Sequence, residues 1–195
     1  ILVENGGTAH AVIDIVPPEG VTLQRVRALE NLGFGAGNNL GAKQALGQYL
    51  LIVNPDTRLR QGALLIMVRF LKEHPQVGVV GPQLVFPDGM IRDSFRSYPR
   101  LADVLIKRTI LRRFLPGRMH AYLQTGTDPN AVREVDWLCG ACLLMERGLF
   151  EELSGFDERF FLFFEGCDLC RRITQSGRSI VYLPDAKADD RAQRL

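Results

Sequence analysis

The chain contains no apolar run near the ~18–20 residues that a membrane-spanning helix needs. Its longest candidates, Ala63–Val68 and Phe160–Phe164, fall far short. An excess of either charge is also missing: 24 Lys and Arg face 22 Asp and Glu, a formal net charge of +2. That balance is too even for the basic surface on which nucleic-acid binding rests, so no nucleic-acid partner is expected. Only four cysteines occur, too few for a disulfide scaffold. Internal repeats and low-complexity stretches are absent. What is present is ordinary for a globular domain, 46% hydrophobic and 24% charged residues, which excludes a disordered tail or a coiled coil. A length of 195 residues suits one domain with a sizeable core. The first residue is Ile1, with no Met and no signal-like segment before the strand-like Ile1–Val3. The expectation is a chain that opens inside a fold, in a cytoplasmic setting.

The cysteines form two Cys-x-x-Cys pairs, Cys139/Cys142 and Cys167/Cys170. Paired elements of this kind build zinc ribbons. Cys139 and Cys142 run into Leu-Leu-Met, a strand-like stretch in which residues three apart point to opposite faces. Cys167 and Cys170 fall on a helical pattern, and the Phe- and Leu-rich segment before them reads as core. Small buried thiols are the default expectation, with a structural zinc module as the alternative.

The first half alternates strand and helix patterns. Ile1–Val3 and Ala11–Val16 are short apolar runs, the second stopped by Pro17-Pro18. Thr22–Leu29 fits a strand or a short helix. Gly35–Gly47 reads as a helix opened by a glycine-rich loop. Tyr49–Val53 has the continuous apolar character of a central parallel strand buried on both faces. Gly62–Glu73 is an amphipathic helix, and Val77–Val80 a buried strand. The second half begins with Leu84–Ser94, where Pro87-Asp88-Gly89 signals a hairpin turn. Leu101–Leu115 reads as a helix with an apolar stripe and a basic face of Lys107, Arg108, Arg112 and Arg113. Such a helix lies in a bilayer interface or covers the core with its basic face in solvent. Arg133–Met145 is strand-like, Glu165–Gln175 a helix and Ser179–Leu183 a last strand. The fold class is α/β, with a mostly parallel central sheet flanked by helices.

In open α/β sheets, ligands bind beyond the carboxyl ends of the strands. Glu4 and Asn5 follow the first strand there, and Asn54-Pro55-Asp56 follows Tyr49–Val53. A hard divalent cation needs only one or two carboxylates plus substrate phosphates, and Asn54 and Asp56 lie two apart. The bland reading of either acid is a turn former. Asn31-Leu32-Gly33-Phe34-Gly35-Ala36-Gly37-Asn38-Asn39 joins a strand to a helix, where free amides favour an anion. It is neither a dinucleotide fingerprint nor a P-loop, and a tight turn explains it equally. Phe156–Asp168 is the densest signal, an aromatic run that delivers Glu165 and Asp168 to a helix start. Acids there either cap the helix or, with the pKa raised by apolar surroundings, serve as a general base. Trp137 either stacks on a sugar or lines the core.

Seven segments in this order resemble the inverting family 2 glycosyltransferases, especially the bacterial rhamnosyltransferase-like group. They are Glu4-Asn5-Gly6-Gly7-Thr8, Asn31–Gly35 with Asn39-Leu40-Gly41, Asn54-Pro55-Asp56, Val80-Gly81-Pro82 with Asp88-Gly89, and Trp137 with Gly140-Ala141. Gly155-Phe156-Asp157-Glu158 with Phe160-Phe161, and Glu165-x-x-Asp168-Leu169-Cys170-x-Arg172, complete the set. The resemblance implies a GT-A fold whose first strand and helix are missing from this sequence. It implies one glycosyltransferase domain over residues 1–195, with a nucleotide-sugar half (1–82) and an acceptor half (83–195).

It further implies transfer of a sugar from a UDP- or dTDP-linked donor to a glycan or lipid-linked acceptor of the cell envelope, with inversion. Glu4, Asn5, Asn31, Gly33, Asn39, Asn54 and Asp56 would form the nucleotide-sugar site, and Asp56 would hold Mg²⁺ or Mn²⁺. Trp137, Gly140 and Ala141 would line the acceptor pocket. A carboxylate at the start of Glu165–Gln175 would deprotonate the acceptor hydroxyl. The family usually places Glu-Asp where this chain has Glu165-Gly166, and that Asp is its commonly assigned base. Glu165 is therefore the first substitute and Asp168 the second, with a nucleotide-sugar-binding pseudoenzyme as the alternative. A peripheral position on the inner face of the plasma membrane, through Leu101–Leu115, would suit a lipid-linked acceptor.

Overall fold

The computed structural model describes residues 1–6, 16–98 and 128–191. In chain order the elements are β1 (Leu2–Asn5), β2 (Arg25–Ala28), α1 (Phe34–Ala42), β3 (Tyr49–Val53), β4 (Thr57–Leu59), α2 (Ala63–Glu73) and β5 (Val77–Val85). Then follow β6 (Phe95–Arg96), β7 (Arg133–Glu134), β8 (Trp137–Leu138), β9 (Cys142–Glu146), α3 (Arg147–Glu152), α4 (Glu165–Gln175) and β10 (Ser179–Asp190). The basic helix expected over Leu101–Leu115, and most of the run Ala11–Val16, lie outside the described residues. No helix among the described residues is long and apolar enough to cross a membrane.

The main sheet has the order β3-β9-β5-β10-β4, with β7 also paired to β10. Strand β9 is antiparallel to both β3 and β5, while β10 is parallel to β5. The long strands β3, β5 and β10 therefore point one way, with β9 reversed among them. This corrects the expectation for Tyr49–Val53. That strand pairs antiparallel with β9 and alternates buried and half-exposed side chains instead of being covered on both faces. An apolar run alone does not reveal that the neighbouring strand comes from residues some ninety positions later.

Side-chain alternation sorts the core into two layers. Leu50, Ile52, Val79, Leu143, Met145, Ile180 and Tyr182 pack on one face with Phe150, Phe156, Leu169, Cys170 and Ile173. Val80, Cys142, Leu144, Val181 and Leu183 face the other way, onto Ala63, Met67 and Leu71 of α2. Those three α2 residues recur every fourth position, one face of a helix. The middle strand β5 is buried throughout. Its Gly78 is required by close packing: a Cβ there would stand 2.5 Å from Ile173 Cγ2 and 3.1 Å from Leu149 Cδ2.

Several boundaries differ from the sequence reading. The helix expected over Gly35–Gly47 stops at Ala42. Thr22–Leu29 resolves as a strand, Arg25–Ala28, paired parallel to β1. Arg133–Met145 is three short strands with different partners: β7 pairs with β10, β8 with β6, and β9 with β3 and β5. The last strand continues from Leu183 to Asp190 through an irregularity between Leu183 and Lys187, opposite Pro82. A proline has no ladder donor, so pairing breaks beside it. The Pro87-Asp88-Gly89 turn forms as expected, with Phe86 N–H donating to Met90 O and Gly89 N–H to Phe86 O. Helix α3 carried no clear sequence signal.

The tight fit at Gly78 yields a test. Gly78→Ala is expected to destabilise the fold by about 1–3 kcal/mol through overpacking, read as a lower urea midpoint. An unchanged midpoint would contradict the contact between β5 and α4.

Candidate functional site

The carboxyl end of β1 meets the glycine-rich loop through one side chain. Asn5 donates from Nδ2 to Gly33 O at 2.8 Å and to Asn31 Oδ1 at 3.3 Å, and its Oδ1 accepts from Leu32 N–H at 2.9 Å. Asn31 Oδ1 also accepts from Gly33 N–H at 3.0 Å. Gly33 holds φ 83°, left-handed backbone that glycine adopts without strain. A Cβ at Gly33 would lie 2.2 Å from Phe161 O. Phe34 N–H donates to that same oxygen at 3.0 Å. The loop is thereby locked against the aromatic run, which sequence distance alone does not suggest.

Asn39 makes the second junction. Its Nδ2 donates to Phe156 O at 2.9 Å and to Glu158 Oε1 at 3.0 Å, and its Oδ1 accepts from Phe156 N–H at 2.8 Å. The side chain is buried, and both amide hydrogens are committed within the protein. Asn39 shapes the site by holding the Phe156–Glu158 segment, and its amide hydrogens are not presented to a ligand.

The third junction lies at the end of β3. Asn54 N–H donates to Ala141 O at 2.9 Å, and Thr57 N–H closes the turn onto Asn54 O at 3.0 Å. Asp56 sits at the tip of that turn, exposed, and Arg191 N–H donates to its main-chain oxygen at 3.0 Å. Among the described residues, no hydrogen bond or ion pair engages the Asp56 carboxylate. The next residue of β10 inward from Arg191, Asp190, is fully buried and ion-paired with Arg92. This pair was not read from the sequence, because nothing local links position 92 to position 190.

Gly140 and Gly166 join these junctions to α4. A Cβ on Gly166 would lie 3.7 Å from Leu138 O and 3.8 Å from Gly140 N, ordinary contacts. A Cβ on Gly140 would lie 3.3 Å from the Phe34 ring. Phe34 in turn meets Phe156 edge to face, with centroids 5.7 Å apart. Glu165, Gly166, Gly140, Ala141, Asn54, Gly33 and Asn39 are thus parts of one connected neighbourhood. Glu4 stands at its margin, half-exposed, 4.0 Å from Arg25 Nη1.

The two candidate carboxylates differ sharply. Glu165 is 8% exposed, its Oε2 has no hydrogen-bond partner among the described residues, and burial pushes its pKa up. Asp168 is held by Arg172, whose Nε lies 2.8 Å from Oδ2 and whose Nη1 is engaged with Leu153 O at 2.7 Å. The Asp168 carboxylate is therefore engaged by a guanidinium, whereas Glu165 keeps an oxygen without a partner among the described residues. Trp137 is half-buried, donates from Nε1 to Ser97 O at 3.0 Å, and lies under Arg96 at 5.8 Å from the ring centroid.

The cysteines are free thiols. Burial pushes Cys142 and Cys170 up to about 12 and Cys167 up to about 11. Among the described residues, no group of three or more His, Cys, Asp or Glu is placed to hold a metal. Buried protonated thiols and scattered ligands are what a core strand and helix give, so the zinc alternative loses its support. The Phe- and Leu-rich run is another correction. Phe161 to Phe164 are exposed, not core, because the backbone at Phe163 and Phe164 is left-handed and turns the run outward.

A family model described as "Glycosyltransferase like family 2" matches residues 3–193. The chain is 32% identical over 204 aligned residues to the N-acetylglucosaminyl-diphospho-decaprenol L-rhamnosyltransferase of Mycobacterium tuberculosis, covering 96% of this chain and 64% of that protein. It is 25% identical to the rhamnosyltransferase WbbL of Escherichia coli K12, covering 78% of this chain and 58% of that protein. The chain therefore spans about three fifths of the length of these relatives. Among solved structures it resembles GalNAc-T7 with UDP, GalNAc and Mn²⁺, with TM-score 0.62, 13% identity, and coverage of 88% of this chain and 32% of that one. It also resembles a mannosyltransferase from Pyrobaculum calidifontis in complex with GDP-Man and Mn²⁺, with TM-score 0.54, 18% identity, and coverage of 88% and 40%. At these identities the likeness is one of fold, and the fold is GT-A.

Burial of Glu165 predicts a pH signature of stability. A carboxyl whose folded pKa is raised binds its proton more tightly folded than unfolded, so stability falls as pH rises from the ordinary value, 4.5, through the raised one. Glu165→Gln removes that loss. Its urea midpoint is expected to exceed that of the parent by a margin that grows over this window and then levels off. Parallel midpoint curves would contradict the buried carboxylate.

Proposed function

We propose, from the premise that this chain belongs to glycosyltransferase family 2, that it transfers a sugar from a nucleotide-diphosphate donor to a hydroxyl of a glycan or lipid-linked acceptor, inverting the anomeric centre. Glu165 carries this reading: a buried carboxylate with a free oxygen, at the head of α4, beside the Gly140–Ala141 segment that ties to the Asp56 turn. In this role Glu165 takes the proton of the acceptor hydroxyl as that oxygen attacks the anomeric carbon opposite the leaving nucleotide. Residues 1–82 serve the donor and residues 83–195 the acceptor. In this reading Glu4 contacts the base of the nucleotide, while Asn5, whose amide is engaged by Asn31, Leu32 and Gly33, holds the shape of that pocket together with the Asn31–Gly33 loop and Asn39. In the same reading Gly140 and the half-buried Trp137 border the acceptor, and Ala141, whose side chain is buried in the core, contributes only its backbone.

The donor set at Asp56 suits a hard divalent cation. It offers one free, exposed carboxylate and leaves the remaining positions to diphosphate oxygens and water. Mg²⁺ or Mn²⁺ bound there would offset the negative charge that builds on the departing nucleotide. The rhamnosyltransferase relatives make a rhamnose-type sugar the first donor to test.

A thermal-shift screen with UDP, dTDP and GDP, each with and without Mn²⁺, tests the donor half, because a ligand of the folded state raises its melting temperature. One nucleotide is expected to stabilise the protein in a metal-dependent way, and Asp56→Ala is expected to abolish that dependence. No shift with any nucleotide would overturn the reading. In turnover assays Glu165→Gln is expected to lower kcat by about 10²–10⁴-fold, and Asp168→Asn by much less. The parent rate should fall as pH drops through the raised Glu165 pKa, since the base must be ionised to act. Nucleotide binding without turnover, unrepaired by Gly166→Asp, would mark a sugar-nucleotide-binding protein instead.

A further inference from the structure

We propose that Arg92 and Asp190 are positioning residues for the cation: their buried ion pair braces the turn that carries Asp56 and sets the affinity of that turn for Mg²⁺ or Mn²⁺ without touching the ion. This rests on Asp56 as the cation's carboxylate in the reading above. Strand β4, which leaves the turn at Thr57, is three residues long, and its strand partner among the described residues is β10. Thr57 lies opposite Asp190, Arg58 opposite Asp189 and Leu59 opposite Ala188. The turn itself is clamped by the next residue along, since Arg191 N–H donates to Asp56 O at 3.0 Å. Where Asp56 stands therefore depends on where the last residues of β10 stand.

Those residues run past their support on β5. The parallel ladder of β10 on β5 is interrupted between Leu183 and Lys187, resumes, and ends at the pair Asp189–Val85. Asp190 lies one residue beyond, where a strand tip frays unless it is tied down. Its carboxylate is fully buried, and a charge out of water persists only where it is paired. Arg92 supplies the pair. The turn at Pro87-Asp88-Gly89 brings it there: Ile91 bridges back to Val85, and Arg92 N–H donates to Leu84 O at 2.9 Å. The hairpin thus folds along β5 and delivers a guanidinium to the first residue past the ladder.

The pair acts through the main chain. Arg92 fixes Asp190, Asp190 faces Thr57 across the ladder, and Arg191 holds Asp56. Asp190 itself is closed to solvent and neutralised by Arg92, which leaves the exposed Asp56 carboxylate to meet the ion. A cation that takes a single protein carboxylate gains most from having that group held still, because its other ligands arrive with the nucleotide and water.

The test titrates Mn²⁺ against the nucleotide thermal shift in the parent, Arg92→Gln, Asp190→Asn, the double variant Arg92→Gln/Asp190→Asn, and Arg92→Lys. Each of the first two variants is expected to raise the Mn²⁺ concentration at half effect by about tenfold or more, with the shift given by nucleotide alone kept. The double variant, an uncharged pair that still hydrogen-bonds, is expected to return to within about threefold of the parent. Weaker Mn²⁺ binding in Asp190→Asn with tighter binding in Arg92→Gln would make Asp190 a direct ligand and overturns the brace. Parental Mn²⁺ affinity in both variants overturns it too, and so does an equal loss with and without Mn²⁺, which marks a general loss of structure. Should either variant fail to fold, Arg92→Lys carries the test: an ammonium lacks the guanidinium fork, so about threefold weaker Mn²⁺ binding is expected, and parental affinity overturns the proposal.

Hydrogen exchange on the nucleotide-free protein separates the brace from the transferase reading. In Arg92→Gln the amides of Thr57 and Arg191 are expected to exchange about tenfold faster or more, while those of α4 keep the parental rate. Such local loosening in a protein that shows no nucleotide shift keeps the brace of the turn and removes the transferase reading. A nucleotide shift in the parent, with no loosening in the variant, does the reverse.

Discussion

The side-chain amide of Asn39 is the interaction on which the site depends. It sits in α1, yet all three of its hydrogen bonds reach residues 156 and 158, 117 and 119 positions later. Through it the helix that follows the glycine-rich loop and the Phe156–Glu158 segment share one reference. A buried amide that lost these partners would be left unsatisfied in a medium where each such group costs about 1–3 kcal/mol. That cost forces the two halves together more specifically than apolar packing alone. The neighbouring contact of Gly33 with Phe161 O works the same way, since only a residue without a Cβ allows the two backbones to approach.

Around this reference the sheet brings distant turns into register. Reversed β9 lies between β3 and β5, so Ala141 reaches Asn54 and the Asp56 turn is held from the side of β9. The parallel run of β10 along β5 carries its tip to the same turn, where Arg191 meets Asp56. The cation-binding candidate thus stands on a turn supported from two strands. The candidate base stands on a helix packed through Ile173 against Gly78 of β5. Glu165 rests on a packed helix and Asp56 on a turn held from two strands, while Phe161–Phe164, just before Glu165, face solvent.

Much of this was legible in the order of residues. The α/β class, the helices at 63–73 and 165–175, the buried strand beginning at Val77 and the hairpin at Pro87-Asp88-Gly89 follow from periodicity and turn chemistry. The candidate residues Asn5, Gly33, Asn54, Asp56, Glu165 and Asp168 followed from motif order. Pairing partners were not legible: Tyr49–Val53 looked like a central parallel strand because an apolar run carries no record of its neighbour's direction. Nor was the fate of Phe161–Phe164, since hydrophobicity predicts burial and only two left-handed residues reveal that the run turns outward.

What the sequence determined by itself was therefore the inventory: which groups are present, on which kind of element, and within which family. Tertiary structure decided how each group is used. Glu165 and Asp168 are both acids in the first turn of one helix, equal on paper. Burial beside Phe156 and Gly35 leaves Glu165 with an unpartnered oxygen and a raised pKa, while Arg172 occupies Asp168. The physical reason is that desolvation and charge pairing act through space, over a few ångströms, and depend on neighbours that sequence distance does not record.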